Sequence, residues 1–340
     1  MPAGLDGRPE VFMIDGLPNF TLKPRPGRSL NLGWCAAEEQ VCEITRPRQP
    51  IGCGDGIRKR RAIPVGKILW LASYPKSGNT WIRAFLHNLM RNPDEPYDIN
   101  KMGELTVGDS QISWYKLFDK RPWTEWSSDD VMKMRRQVQL AMVASRRDTI
   151  IVKTHNALME IEEKPLIHMD LMAGAIYVVR NPLDVCISAA DHYGVDIDEA
   201  IKLMNTPENG GLATEKNVRE LHSTWSLHVQ SWTAKPHPGL HVVRYEDMQA
   251  KPIATFGALA GFLGLKVPRQ RLETAIRHSS FENLRKAEEK TGFMERSEKA
   301  ERFFRVGKSG QWREKLTQAQ IDAVIEAHKE QMQRFGYWPI

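Results

Sequence analysis

Four short apolar runs recur along the chain from Lys67 onward: ILWLASY (68–74), TIIVK (149–153), AIYVV (175–179) and LHVVRY (240–245). None alternates apolar with polar residues, so each reads as a strand covered on both faces. Stretches with helical spacing lie between them, and Trp81, Phe85 and Leu89 mark one such stripe. Buried strands separated by helices indicate a parallel sheet. The pattern predicts a single α/β domain over 67–340, with a mostly parallel central sheet flanked by helices. The last helix carries its own boundary signals. Thr317 and Gln320 make a T-x-x-Q capping box, Ile321, Val324, Ile325, His328, Met332 and Phe335 form one stripe, and Gly336 stops it.

Residues 1–66 have a different texture. Pro and Gly recur without periodicity, and the segment ends in the basic run Arg58-Lys59-Arg60-Arg61, so it reads as an irregular N-terminal arm. That run suits anionic lipid or nucleic acid, but a solvated charge cluster is the commoner outcome, and no nucleic-acid partner is expected. The formal charge of +6 favours an anionic partner without naming one. The N-terminus shows no basic segment followed by an apolar one, and no apolar run approaches a membrane span. A cytoplasmic protein is the expectation. Cys35, Cys42, Cys53 and Cys186 have neither CxxC spacing nor a nearby His, so they read as reduced thiols rather than a zinc site.

The most informative stretch follows the first strand: Tyr74-Pro75-Lys76-Ser77-Gly78-Asn79-Thr80-Trp81. The unpaired amides and partial positive charge of a helix N-terminus bind anions. Gly78 lets the backbone fold around the anion; Ser77, Asn79 and Thr80 add side-chain donors, and Lys76 adds a full charge. The plain alternative is a strand-turn-helix corner with a Ser/Thr cap. A Walker A loop is absent as written, which disfavours a P-loop kinase.

YPKSGNTW resembles the 5′-phosphosulfate loop of the sulfotransferases that use 3′-phosphoadenosine 5′-phosphosulfate (PAPS), with Asn79 where that family usually has Thr. The resemblance extends over about 67–340 and implies a P-loop-like phosphosulfate site. It assigns Lys76, Ser77, Gly78, Asn79, Thr80 and Trp81 to the donor, and Arg180 and Ser188, in YVVRNPLDVCIS, to its 3′-phosphate. An Arg fork suits phosphate, whereas the bland reading pairs Arg180 with Asp184. Tyr245, and Ser279 and Phe281 in HSSF, match adenine-contacting positions. Phe304-Arg305-Val306-Gly307-Lys308-Ser309-Gly310-Gln311-Trp312 resembles the segment that closes over the nucleotide. Arg305 and Gly307 match there; Val306 and Gln311 depart, and Lys308 is a candidate substitute for the missing cation.

Strand TIIVK runs into Lys153-Thr154-His155. Sulfuryl transfer needs the acceptor proton removed and the departing phosphate's charge neutralised. His155 matches the family's base, Lys76 then faces the bridging oxygen, and Lys153 adds charge. No metal is called for. The aromatics Trp114, Tyr115, Phe118, Trp123, Trp126, Tyr193, Trp225 and Trp232 are candidates for an apolar acceptor pocket, although half or more read as core. The acceptor, small molecule or glycan, with a hydroxyl or an amine, stays open. The reading is a sulfotransferase; the alternatives are a P-loop-type kinase and an inactive nucleotide-binding interaction protein.

Overall fold

The computed structural model describes residues 67–339. The arm expected over 1–66, with Cys35, Cys42 and Cys53, lies outside the described residues.

The sheet holds five parallel strands: β1 (Ile68–Ser73), β2 (Thr106–Gly108), β3 (Ile150–Thr154), β4 (Met172–Val179) and β5 (Leu240–Arg244), in the order β2-β3-β1-β4-β5. The four apolar runs are the four longer strands. β2 was not foreseen, because three residues ending in Gly108 carry no pattern of their own and become strand only by pairing with β3. Tyr245 belongs not to β5 but to the helix that starts there. A small antiparallel ladder, Glu160–Ile161 with Lys164–Pro165, stands apart.

Strand pleating divides the core into two layers. Ile68, Trp70, Val152, Ala175, Tyr177 and Val179 face one side. That side is covered by helices α2 (Ser128–Ala144), α3 (Pro182–Tyr193), α4 (Trp225–Thr233) and α9 (Gln318–Arg334). Leu69, Leu71, Ile151, Ile176, Val178 and Val243 face the other. There the cover is α1 (Asn79–Arg91), α5 (Tyr245–Ala250), α6 (Pro252–Phe262) and α7 (Arg269–His278); α8 (Phe281–Thr291) packs beside them on Ala84 and Phe304. Double coverage explains the unbroken apolar runs.

The capping box of α9 forms as read, with Ile321, Val324, His328 and Met332 buried and Gly336 at φ 68° just beyond its end. Most of the aromatics proposed for an acceptor pocket are core or pack against it. Tyr115, Trp225 and Trp232 are buried, and Trp114, Trp123 and Trp126 lie on the same cluster.

Candidate active site

In a parallel sheet all strands end on one edge, and ligands collect there. β3, β1 and β4 are neighbours, so their C-terminal ends bring Lys153-Thr154-His155, the loop 74–78 and Arg180 together.

The loop between β1 and α1 has two residues in the left-handed region, Lys76 at φ 66° and Gly78 at φ 106°. A Cβ at Gly78 would lie 2.7 Å from the Tyr245 ring, so glycine is required by space as well as by φ. Helix α1 starts without a side-chain cap. The Ser77 hydroxyl is buried with no partner, which costs about 1–3 kcal/mol unless a ligand satisfies it. Asn79 corrects an expectation. Its Nδ2 donates to Leu71 O (3.0 Å) and Ser73 Oγ (3.3 Å), so this amide group turns back onto β1 instead of offering donors to the loop. Helix side chains lean toward the N-terminus, which for Asn79 is where β1 ends. Thr80 is buried on the first turn, and Trp81 sits edge-on to Tyr245, ring centroids 5.6 Å apart.

His155 is held in one tautomer. Its Nδ1 lies 2.8 Å from Ser73 O, and a carbonyl only accepts, so Nδ1 carries the hydrogen and Nε2 keeps its lone pair. Burial, with Lys153 nearby, pushes its pKa down to about 3, so the ring is neutral at physiological pH. The His155 backbone is fixed in turn. His228 Nε2 donates to His155 O (3.1 Å), and His228 Nδ1 accepts from the Tyr177 hydroxyl (2.8 Å). His228 had not been singled out; its position between Trp225 and Trp232 on one helical face was the available signal.

Two lysines face this edge in different states. Lys76 Nζ lies 4.3 Å from the Phe303 ring centroid; burial, then the charges of Arg180 and Lys153, bring its pKa down to about 8. Lys153 Nζ is 3.4 Å from Glu295 Oε2, and Arg83 donates to both oxygens of that carboxylate at 2.7 and 2.8 Å. The extra charge expected of Lys153 is therefore shared with an acidic partner from the distant segment after α8.

Arg180 is buried and ties the edge together. It donates to Lys76 O (3.1 Å) and Lys308 O (3.3 Å) and lies 4.3 Å over the Tyr245 ring, with its Nε unpartnered. It does not pair with Asp184, whose oxygens accept from the Gly310 and Trp312 amides at 2.6 and 3.2 Å. Asp184 thus fastens the closing segment. Gln249 does the same, donating to Gly307 O and accepting from Ser309 N. Glu288 accepts from the amides of Phe303 and Phe304. Neither Gln249 nor Glu288 has a local sequence signal, because its partners lie far along the chain. Ser188 is partly buried on α3, eight residues beyond Arg180.

Four assigned positions in the nucleotide region resolve as follows. Gly307 has φ 64°, and a Cβ there would lie 2.1 Å from the Phe281 ring, so Phe281 braces the closing segment. Arg305 is paired with Asp191 at 2.5 Å and is not a free cation. The Ser279 hydroxyl donates to Ala275 O (2.8 Å), leaving only its acceptor lone pairs for a ligand. At the departing position Gln311, Nε2 donates to Lys308 O (2.8 Å), while Lys308 itself is exposed.

A sheet edge with a helix N-terminus, a neutral histidine and two lysines suits group transfer from a phosphate-bearing donor. Comparison with known proteins narrows the class. Residues 67–336 match the model of the sulfotransferase domain. The chain is 25% identical over 278 residues to sulfotransferase 1A1 of Canis lupus familiaris, covering 79% of this chain and 84% of that protein. With sulfotransferase 1E1 of Bos taurus the identity is 26% over 274 residues, covering 78% and 83%. Its fold is similar to that of retinol dehydratase, solved in complex with androsterone and the inactive cofactor PAP. The TM-score is 0.55 at 18% identity, over 78% of this chain and 80% of that one. The chain belongs to the sulfotransferase family and is a sulfotransferase that uses PAPS as sulfuryl donor. Among the described residues no helix is long and apolar enough to cross a membrane.

Proposed function

We propose that loop 76–81 holds the 5′-phosphosulfate of PAPS, that Arg180 and Ser188 hold its 3′-phosphate, and that His155 deprotonates the hydroxyl of a small-molecule acceptor. One observation carries this reading: the histidine is hydrogen-bonded to the end of β1, at Ser73 O, and the arginine to the loop that follows it, at Lys76 O. Base and phosphate anchor are thereby held at fixed positions about one anion site. The residues fit a polyanion, since Ser77 Oγ and Arg180 Nε are buried without partners. Trp81 and Tyr245 stand against each other beside Gly78 and Arg180 and are the aromatic candidates for adenine.

PAPS supplies a sulfuryl group on a phosphate leaving group. His155 Nε2 takes the acceptor proton as the new O–S bond forms. Lys76 neutralises the oxygen freed when the S–O bond to phosphate breaks, and the amides of α1 share that charge. Lys153 adds a second positive charge, tempered by Glu295. A cytoplasmic setting belongs to the same proposal; buried Cys186, a free thiol, accords with a reducing compartment.

Calorimetry with adenosine 3′,5′-bisphosphate tests the donor site. The bisphosphate is expected to bind far more tightly than 5′-AMP or ATP, with no need for Mg²⁺. At a hundred times its Kd it would stabilise the fold by about 2.7 kcal/mol, a melting shift of a few degrees. Tighter binding of Mg²⁺-ATP would overturn the reading in favour of a kinase.

Lys76 gives a pH test. With a pKa of about 8 it is charged below that pH and neutral above it. Its charge assists the reaction, so kcat/KM for the donor should fall as pH rises through about 8. In Lys76→Arg the charge persists, and the alkaline fall should move upward. An unchanged alkaline limb in that variant would assign the fall to another group.

A further inference from the structure

Resting on the donor-site reading, we infer that Glu220 and His222 form the acceptor-recognition end of this site and select a hydroxyl compound that carries a protonated amine. The two residues lie on the segment before α4, which is pinned beside the base. Leu221 N donates to Asn156 Oδ1 (2.8 Å), Ala157 N donates to Leu221 O (2.8 Å), and His222 N donates to Asn209 O (2.9 Å). Close approach locks the other side, where a Cβ at Gly210 would lie 1.9 Å from Glu220 O. Glu220 and His222 flank the pinned Leu221. The Glu220 carboxylate reaches His222 Nε2 at 3.2 Å, and the His222 ring stands perpendicular to the His155 ring at 6.3 Å. A carboxylate thus stands behind one imidazole, within a small molecule's length of the base.

That carboxylate lacks a strong cationic partner. Among the described residues its one ion-pair contact is His222, charged only when protonated. Lys153 is paired with Glu295, and Arg83 with the same group. Burial works to raise the Glu220 pKa. The His222 hydrogen bond, with positive charge from the groups around it, Lys153 among them, outweighs it and holds the group below the ordinary carboxylate range. The group is therefore ionised. Its one ion-pair contact among the described residues is an imidazole, so a ligand that brings a full positive charge would add a charge-assisted hydrogen bond to it. Lys76 and Arg180, the cations of the loop region, belong to the donor's phosphates in the same reading. An acceptor pocket lined by aromatic side chains would select apolar molecules, but the aromatics available for one are mostly core.

Three matched phenols separate the possibilities: tyramine (cationic), 4-hydroxyphenethyl alcohol (neutral donor) and 4-ethylphenol (apolar). Each is titrated into the full chain saturated with adenosine 3′,5′-bisphosphate and assayed for turnover with PAPS. Tyramine is expected to exceed 4-hydroxyphenethyl alcohol by about ten- to a hundred-fold, the range of a charge-assisted hydrogen bond. In Glu220→Gln that ratio should collapse toward unity while bisphosphate affinity matches the parent, showing the donor site intact. Equal handling of the two phenols by the parent overturns the inference, and so does a ratio that survives in Glu220→Gln. The parent comparison decides even if the variant does not fold. Failure of the bisphosphate to bind would instead overturn the donor-site reading and this inference with it.

Discussion

His155→Ala is expected to lower sulfuryl-transfer turnover by about 10²–10⁴-fold, the contribution of a positioned general base. Affinity for adenosine 3′,5′-bisphosphate should change little, because the His155 ring hydrogen-bonds Ser73 at the end of β1 rather than the loop that follows. That hydrogen bond is a second role, and His155→Asn separates it from the first. The Asn amide can still donate toward Ser73 O while providing no base. Equal losses in the two variants would assign the defect to the Nε2 lone pair, whereas recovery in the Asn variant would assign it to loop support. Turnover within a few-fold of the parent in both would refute the role. The pH profile adds a check. A base with pKa about 3 stays unprotonated as pH falls, so its activity is present above that value and lost only below it. His155 should therefore give no acid limb near pH 6 in kcat/KM.

Arg180→Ala is expected to weaken adenosine 3′,5′-bisphosphate by roughly ten- to several-hundred-fold, since guanidinium–phosphate hydrogen bonds contribute about 1.5–3 kcal/mol each. Arg180 also supports the carbonyls of Lys76 and Lys308, so binding of 5′-AMP, which lacks the 3′-phosphate, should fall too, but less. The ratio of the two affinities, measured by calorimetry, isolates the phosphate contact from loop support. Arg180→Lys keeps the charge without the planar fork and should recover part of the ratio. If bisphosphate and 5′-AMP weaken equally in Arg180→Ala, the arginine is a loop brace and the 3′-phosphate lies elsewhere.

Much of the fold was legible because its signals are local. A buried parallel strand writes itself as an unbroken apolar run, and ILWLASY needs no neighbour to be recognised. The capping box at Thr317 and Gln320 satisfies its own amides within one turn. The loop between β1 and α1 is equally local, since Gly78 and the α1 N-terminus are contiguous in the chain. β2 escaped notice because it is strand only by virtue of β3.

The partners of the site residues were a different matter. Nothing near Lys153 announces Glu295, 142 residues away, and nothing near Asp184 announces Gly310 and Trp312. Sequence placed Arg180 and His155 at strand ends but left open what they would touch. Strand order decided it: β1 lies between β3 and β4, which puts His155 on Ser73 across 82 residues and Arg180 on Lys76 across 104. The same packing withdrew Arg305 onto Asp191 and turned Asn79 inward. Local pattern alone determined that this chain builds a parallel sheet with a glycine-containing loop leading into a helix N-terminus. Which charges remain free at that loop was settled only by tertiary structure, because a side chain's charge is neutralised by whatever folds against it, at any separation along the chain.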